Sequence, residues 1–181
     1  MNKYIFDLDN TLYSDLEIID VEFDNDNIEI FYNSIKPKYF LNQLIEQLSP
    51  VYLFTNGTIE HVNEVLKKLK FKNIFKNKNS LTRDEMKDSM KPDIEVFKKA
   101  IQKFELKKND NIFFFEDNSQ NLKIAKILFN WNTILINPYL EYKPEYVDYL
   151  FKTIENAVLH FVFKKNLNKI IINKKKNANK V

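Results

Sequence analysis

Polar side chains that could do chemistry stand at the ends of the predicted strands of this chain. They are the carboxylates of Asp7, Asp9, Glu116 and Asp117, the lysine Lys91, and the hydroxyl and amide donors of Thr55, Asn56 and Gly57. In an open sheet of parallel strands, ligands bind beyond the carboxyl ends of the strands, so we expect these groups to converge. Together they suit phosphoryl transfer, which needs a nucleophile, a proton donor and positive charge around anionic oxygens.

A site with this many carboxylates needs a cation. Two ionised carboxylates about 4 Å apart repel by roughly 4 kcal/mol at an effective dielectric of about 20, and a dianionic phosphate adds to that repulsion. The chain has no cysteine, which excludes disulfides, thiolate nucleophiles and zinc-thiolate centres. Oxygen ligands favour Mg²⁺, which takes few protein ligands and keeps water for the substrate. We interpret His61, His160 and Trp131 as surface or core residues.

The elements that must position these groups alternate between strand and helix. Strands are predicted at Lys3–Leu8, Val51–Phe54, Asn111–Phe115, Asn132–Ile136 and Tyr146–Leu150, and helices at Pro37–Leu48, Ile59–Leu69, Pro92–Phe104 and Leu122–Phe129. This order predicts an α/β, Rossmann-like fold with a parallel sheet, helices on both faces and right-handed crossovers. Between the first strand and the first helix, Leu16–Phe23 and Ile28–Tyr32 flank the turn-rich run 24–27 and predict a β-hairpin.

The composition predicts one globular domain, at residues 1–163, followed by a basic tail at 164–181. Hydrophobic residues make up 44% and charged residues 29% of the 181-residue chain, as in soluble domains of this length. The last 18 residues hold seven lysines and no acid, so residues 1–163 carry a net charge of −4 although the whole chain carries +3.

Partners and location follow from charge and hydropathy. The tail either makes weak, salt-sensitive contacts with nucleic acid or an acidic protein, or is a solvated, disordered end. No apolar run reaches the roughly 20 residues that span a bilayer, and an acid comes too early for a signal peptide. We therefore expect a cytoplasmic protein without a membrane partner.

Four short motifs, taken in order and spacing, resemble those of the haloacid dehalogenase-like hydrolases. They are FDLDNTL at Phe6–Leu12, LFTN at Leu53–Asn56, KP at Lys91–Pro92, and FEDN at Phe115–Asn118 together with Asn121. The resemblance covers roughly residues 3 to 136 and implies a magnesium-dependent phosphatase. The sequences of the first two motifs are most similar to those of the pyrimidine 5′-nucleotidase-like branch, which acts on nucleoside monophosphates and other small phosphate esters.

The resemblance implies catalytic and metal-binding roles for the acids. Asp7 would be the nucleophile, which forms an aspartyl-phosphate, and Asp9 would be the general acid and base. Asp7, Asp117 and the backbone carbonyl of Asp9 would bind Mg²⁺, and Glu116 would bind it directly or through water.

The other matching residues would hold the substrate. Thr55 and the backbone N–H of Asn56 would bind the phosphoryl oxygens, Gly57 would allow close backbone approach, and Lys91 would neutralise charge beside the nucleophile. True dehalogenases of the family lack the acid at the position of Asp9, so dehalogenation is disfavoured.

The spacing of the motifs leaves no room for a separate cap domain over the site. Once the predicted helix from Pro37 is assigned to the core, only the predicted hairpin at residues 14–36 remains between the first and second motifs. Capless relatives include phosphoprotein phosphatases and polynucleotide 3′-phosphatases, whose large substrates cover the site. Three functions stay open: a phosphatase for small esters, a capless phosphoprotein or polynucleotide phosphatase, and a non-catalytic binding protein that keeps the fold as a scaffold.

Overall fold

Six parallel strands form one sheet at the centre of the computed structural model, which describes residues 1–14, 28–71 and 74–178. The strands are β1 (Asn2–Phe6), β2 (Val51–Phe54), β3 (Ser80–Leu81), β4 (Asn111–Glu116), β5 (Asn132–Ile136) and β6 (Tyr149–Phe151). The helices are α1 (Ile28–Ser34), α2 (Tyr39–Glu46), α3 (Ile59–Leu69), α4 (Arg83–Met86), α5 (Ile94–Lys103), α6 (Ser119–Phe129) and α7 (Ile154–Ala178), with a 3₁₀ turn at Asn77–Asn79. The predicted α/β fold with a parallel sheet is confirmed.

The strand order β3-β2-β1-β4-β5-β6 places a topological switch point between β1 and β4. The chain moves outward from β1 on one side and from β4 on the other, and ligands of such sheets bind at the carboxyl ends of the strands beside the switch. The register sets Phe6 opposite Phe115, and the backbone N–H of Asp7 donates to the Phe115 carbonyl at 2.9 Å. Asp7 therefore leaves β1 beside Glu116, the last residue of β4.

Helices cover both faces of the sheet because its central strands are apolar on both sides. Along β4, Phe113 and Phe115 face one layer, while Ile112 and Phe114 face the other. The first layer contains α1, α2, α3 and α7, and the second contains α4, α5 and α6. Burial of each large side chain contributes about 2 kcal/mol, which gives the site a rigid base.

The predicted hairpin is wrong in its second arm, because Ile28–Ser34 is the helix α1. Phe31 and Ile35, four residues apart, are both buried, so this segment buries one face at helical spacing rather than alternating as a strand would. The first predicted arm, Leu16–Phe23, and the turn at 24–27 lie outside the described residues.

The helix α7 continues through the predicted boundary after Phe163 as far as Ala178. Its first half enters the core through side chains at helical spacing, namely Ile154, Ala157, Val158, Phe161 and Val162. Residues 166–172 are all exposed. The basic segment is therefore helical as far as Ala178, where the sequence also allowed a disordered end. Among the helices in the described part of the chain, α7 included, none is both long and apolar enough to cross a membrane.

Candidate active site

The carboxylate of Asp7 and the ammonium group of Lys91 form the buried centre of the site. The Lys91 Nζ atom lies 2.6 Å from Asp7 Oδ1 and 2.7 Å from Glu116 Oε2. It also donates to the carbonyl of Phe54, at the end of β2, at 2.7 Å. Thr11 donates to the second oxygen of Asp7 at 3.2 Å. One lysine thus joins the ends of β1, β2 and β4 at the switch point.

Burial and crowding raise the pKa values of the carboxyl groups in this centre. Burial and the neighbouring Glu116 raise the pKa of Asp7 to about 7 against the opposing effect of Lys91. Burial raises the pKa of Glu116 to about 7, with Asp117 adding to the rise and Lys91 opposing it. Burial also raises the pKa of Asp117. Burial by itself would lower the pKa of Lys91, but the charges of Asp7 and Glu116 outweigh it and raise that pKa.

The side chains of Asp7, Glu116 and Asp117 offer oxygen atoms that lie within 4.8 Å of one another. This donor set consists of oxygen alone, and Lys91 offsets only part of the charge of its three carboxyl groups, so it fits a divalent cation such as Mg²⁺. Glu116 also accepts hydrogen bonds from Asn121 Nδ2 at 3.0 Å and from the Asn118 N–H at 3.1 Å. Protein donors therefore hold both oxygens of Glu116, as Lys91 and Thr11 hold the two oxygens of Asp7, so a metal would share these oxygens with the protein.

The carboxylate of Asp9 is held by a different set of residues. The Tyr13 hydroxyl donates to Asp9 Oδ1 at 2.6 Å, and His61 Nε2 lies 2.7 Å from the same oxygen. The Tyr32 hydroxyl lies 3.0 Å from His61 Nδ1. Burial works to raise the pKa of Asp9, but the hydrogen bonds from His61 and Tyr13 and the charge of Lys91 outweigh it and lower that pKa.

His61 was placed outside the site by the sequence analysis, and the structure places it against Asp9. It lies in the first turn of α3, where Thr58 caps the helix by accepting the His61 N–H at 3.3 Å. Because α3 begins just after Thr55–Gly57, a side chain in its first turn points back toward the site. That position was the signal available in the sequence. Trp131 is buried in the core, as predicted.

The loop after β2 brings Thr55, Asn56 and Gly57 to the site. Thr55 is fully buried, and its Oγ1 accepts the Gly57 N–H at 3.0 Å. The amide of Asn56 pairs with the backbone of Lys91 in both directions, at 2.9 Å from the Lys91 N–H and 3.1 Å to the Lys91 carbonyl. The Asn56 side chain thus fastens the loop that carries Lys91, a role that the sequence did not predict.

A side chain at position 57 would crowd three neighbouring side chains. A Cβ atom on Gly57 would lie 3.1 Å from His61 Cδ2, 3.3 Å from Thr55 Oγ1 and 3.5 Å from Asp9 Oδ2. The backbone therefore comes close to the acid, the threonine and the histidine at once. With this loop, the structure brings all the predicted site residues to one edge of the sheet and adds Tyr13, Tyr32 and His61 to them.

Comparison with known proteins gives one family match. The family model described as haloacid dehalogenase-like hydrolase matches residues 36–128, a range that holds the second, third and fourth motifs and begins after Asp7 and Asp9. No curated protein matches the chain.

Three solved structures share the fold at low sequence identity. A dehalogenase solved as an intermediate complex is 20% identical with a TM-score of 0.56, and the match covers 76% of this chain but only 63% of that one. A protein classed as a beta-phosphoglucomutase from Thermotoga maritima is 14% identical with a TM-score of 0.65, covering 91% of this chain and 99% of that one. A HAD phosphatase from Thermococcus onnurineus is 13% identical with a TM-score of 0.62, covering 87% and 96%. The chain thus spans less than two thirds of the dehalogenase.

Proposed function

The chain belongs to the haloacid dehalogenase-like hydrolases, and we propose that it is a magnesium-dependent phosphatase that hydrolyses phosphate monoesters through an aspartyl-phosphate on Asp7. The observation that carries this proposal is the contrast between its first two acids. Asp7 is buried against Lys91, whereas Asp9 is held by Tyr13 and His61. Lys91 offsets the charge that a nucleophilic carboxylate at Asp7 carries, whereas Asp9 is the more exposed of the two acids and can exchange a proton with the ester oxygen or with water.

In the first half of the reaction, a carboxylate oxygen of Asp7 attacks phosphorus. The bond from Asp7 to phosphorus forms while the bond from phosphorus to the ester oxygen breaks. The carboxyl group of Asp9 gives its proton to the departing oxygen, which leaves as an alcohol.

In the second half, Asp9 is a carboxylate and takes a proton from a water molecule. The oxygen of that water attacks phosphorus, the bond to Asp7 breaks, and inorganic phosphate leaves with Asp7 restored as a carboxylate. The same aspartate thus serves as acid and then as base, and a dehalogenase would have no need of it in the first half.

The remaining residues hold charge in place. Lys91 offsets the negative charge of the nucleophile, and Thr55 with the N–H of Asn56 would bind the phosphoryl oxygens. Mg²⁺, held by Asp7, Asp117 and the backbone carbonyl of Asp9, would supply the positive charge that a dianionic phosphoryl group requires.

The test is hydrolysis of an aryl phosphate with and without magnesium. We expect turnover to need Mg²⁺ and to fall by at least about 10³-fold in Asp7→Asn, because an amide is a poor nucleophile. Asp148→Asn is the matched control, since Asp148 pairs with Lys126 at 2.7 Å outside the site. Asp9→Asn should slow alkyl phosphates more than aryl phosphates, because only poor leaving groups need the proton. Full activity in Asp7→Asn would exclude the mechanism.

The natural substrate class stays a prediction. A pyrimidine 5′-nucleotidase-like activity and a phosphatase for phosphorylated macromolecules use the same chemistry. Nucleoside monophosphates, sugar phosphates, phosphopeptides and 3′-phosphorylated DNA, each assayed with magnesium, would separate them.

A further inference from the structure

Asp9 stands in a chain of hydrogen bonds that joins three separate parts of the fold. Tyr32 comes from α1, His61 from α3, and Asp9 with Tyr13 from the loop after β1. The side chain of His61 is 12% exposed, and that of Asp9 is 39% exposed. A substrate can therefore reach the aspartate, while the histidine behind it is largely shielded.

The two donors to Asp9 share one of its oxygens. Tyr13 and His61 both lie within hydrogen-bond distance of Oδ1. The other oxygen, Oδ2, faces Gly57 and Thr55, since a Cβ on Gly57 would be 3.5 Å from Oδ2 and 3.3 Å from Thr55 Oγ1. The anchored oxygen thus points into the protein, and Oδ2 points to the side where Thr55 would hold the phosphoryl group.

These hydrogen bonds also determine which nitrogen of the His61 ring carries the proton. An ionised carboxylate only accepts hydrogen bonds, so His61 Nε2 must carry hydrogen to bond it. In the neutral ring Nδ1 is then an acceptor, and the Tyr32 hydroxyl donates to it. Tyr32 therefore favours the tautomer that lets His61 hold Asp9.

We propose that His61 and Tyr32 are positioning residues, which hold the carboxyl group of Asp9 with Oδ2 turned toward the departing ester oxygen. The proposal rests on the proposed phosphatase function. It also gives α1 a part in the site, because that helix supplies Tyr32. A misplacement of about 1 Å in a reacting group can cost on the order of 10²-fold in rate.

Kinetics of the first turnover test this role separately from later steps. Release of alcohol from an alkyl phosphate and of phenol from an aryl phosphate would be measured in His61→Leu, His61→Gln and Tyr32→Phe. We expect His61→Leu to slow alcohol release by roughly 30-fold and phenol release by less than about 5-fold, with KM nearly unchanged. His61→Gln, whose amide still donates a hydrogen bond, should recover most of the rate of alcohol release. Tyr32→Phe should slow alcohol release by roughly 5-fold and phenol release by less.

A double variant and a control variant test whether the effect of His61→Leu acts through Asp9. His61→Leu should cost nothing more when Asp9 is already Asn, because a positioning residue has no effect once its target is gone. The control is His160→Gln, an exposed histidine on α7, which should match the unmodified protein.

Nitrogen-15 spectra of the metal-free protein give a readout besides activity. His61 should carry its proton on Nε2, and Tyr32→Phe should move part of the population to the other tautomer. Equal slowing of alcohol and phenol release, no recovery in His61→Gln, or a proton on Nδ1 in the unmodified protein would overturn the proposal. An unmodified protein that releases no alcohol or phenol from any ester would overturn the phosphatase function as well.

Discussion

At the level of single residues, Asp7 and Asp9 have the same side chain and opposite surroundings. Asp7 shares one lysine with Glu116 inside the protein, so burial and a like charge outweigh the lysine and raise its pKa to about 7. Asp9 receives hydrogen bonds on one oxygen, and its pKa lies below the ordinary value. Position in the site therefore gives two identical side chains opposite pKa shifts in the metal-free protein.

This contrast predicts how the stability of the metal-free protein depends on pH. Folding raises the pKa of Asp7 from 3.8 to about 7, so the folded state binds this proton more tightly than the unfolded state. The contribution of this proton to the stability of the folded state is complete below about pH 4 and is lost as pH rises to about 7. In thermal melts with a chelator, we expect the Tm to fall across that range. Asp7→Asn should raise the Tm by about 5 °C at pH 8 and change it little at pH 4.

Magnesium supplies the control for that experiment. At pH 8 the metal should raise the Tm of the unmodified protein, because the cation offsets the crowded carboxylates. A lower Tm in metal-free Asp7→Asn at pH 8 would contradict the pKa shift.

At the level of elements, two loops are locked together at the site. The loop after β2 carries Asn56, whose amide holds both the N–H and the carbonyl of Lys91. The loop before α5 carries Lys91, whose ammonium group in turn reaches the Phe54 carbonyl. The Asn56 bonds fix the backbone of Lys91, and the Phe54 carbonyl helps to hold its ammonium group between the two acids.

We predict that Asn56→Ala lowers kcat by about 10-fold, because the loop that positions Lys91 is released. The matched control is Asn132→Ala, since the side chain of Asn132 also makes two hydrogen bonds, by donating to Asn111 and Ile112, but outside the site. Both variants should lose about 1 to 2 kcal/mol of stability in chemical denaturation. Equal kcat values in the two variants would show that the hydrogen bonds between Asn56 and the Lys91 backbone do not contribute to catalysis.

At the level of the whole molecule, the described residues build a body around the sheet and no separate cap layer. The segments between the second and third motifs contribute Val62, Leu81 and Met86 to the core. Between the first and second motifs, the described helices α1 and α2 pack into the body, α1 through Phe31 and α2 through Leu41 and Ile45. The small size fits a capless form of the family. Beyond the body, residues 166–172 of α7 are exposed.

A site without a cap would favour large substrates, which exclude water by covering the site themselves. We expect kcat/KM for a phosphopeptide or a 3′-phosphorylated oligonucleotide to exceed that for any mononucleotide, measured on the monomer. Removal of residues 166–181 should lower the oligonucleotide rate at low salt and leave the aryl phosphate rate unchanged, since lysine contacts to phosphates are screened by salt. A mononucleotide preferred over every larger substrate would refute this prediction and leave the catalytic residues unaffected.

Local sequence determined most of the elements that carry the site. The bounds predicted for β2, α3 and β5 are the observed ones, Val51–Phe54, Ile59–Leu69 and Asn132–Ile136, because hydrophobic period and cap residues act over a few neighbours. The strand β3 has two residues, too few to show a period. The helix α1 was predicted as a strand, since its apolar residues fit either period until the core around Phe31 is known.

The sequence also determined which acids, lysine and loop would meet, because the carboxyl ends of parallel strands share one edge of the sheet. The resemblance implied Lys91 beside Asp7, and only the tertiary structure showed that Lys91 also pairs with Glu116 and that His61 pairs with Asp9. His61 and Asp9 are 52 residues apart, and Lys91 is 84 residues from Asp7 and 25 from Glu116. Such contacts depend on the rotation of each helix about its axis and on side-chain rotamers. Packing against distant residues sets both, so no local pattern in the sequence encodes them.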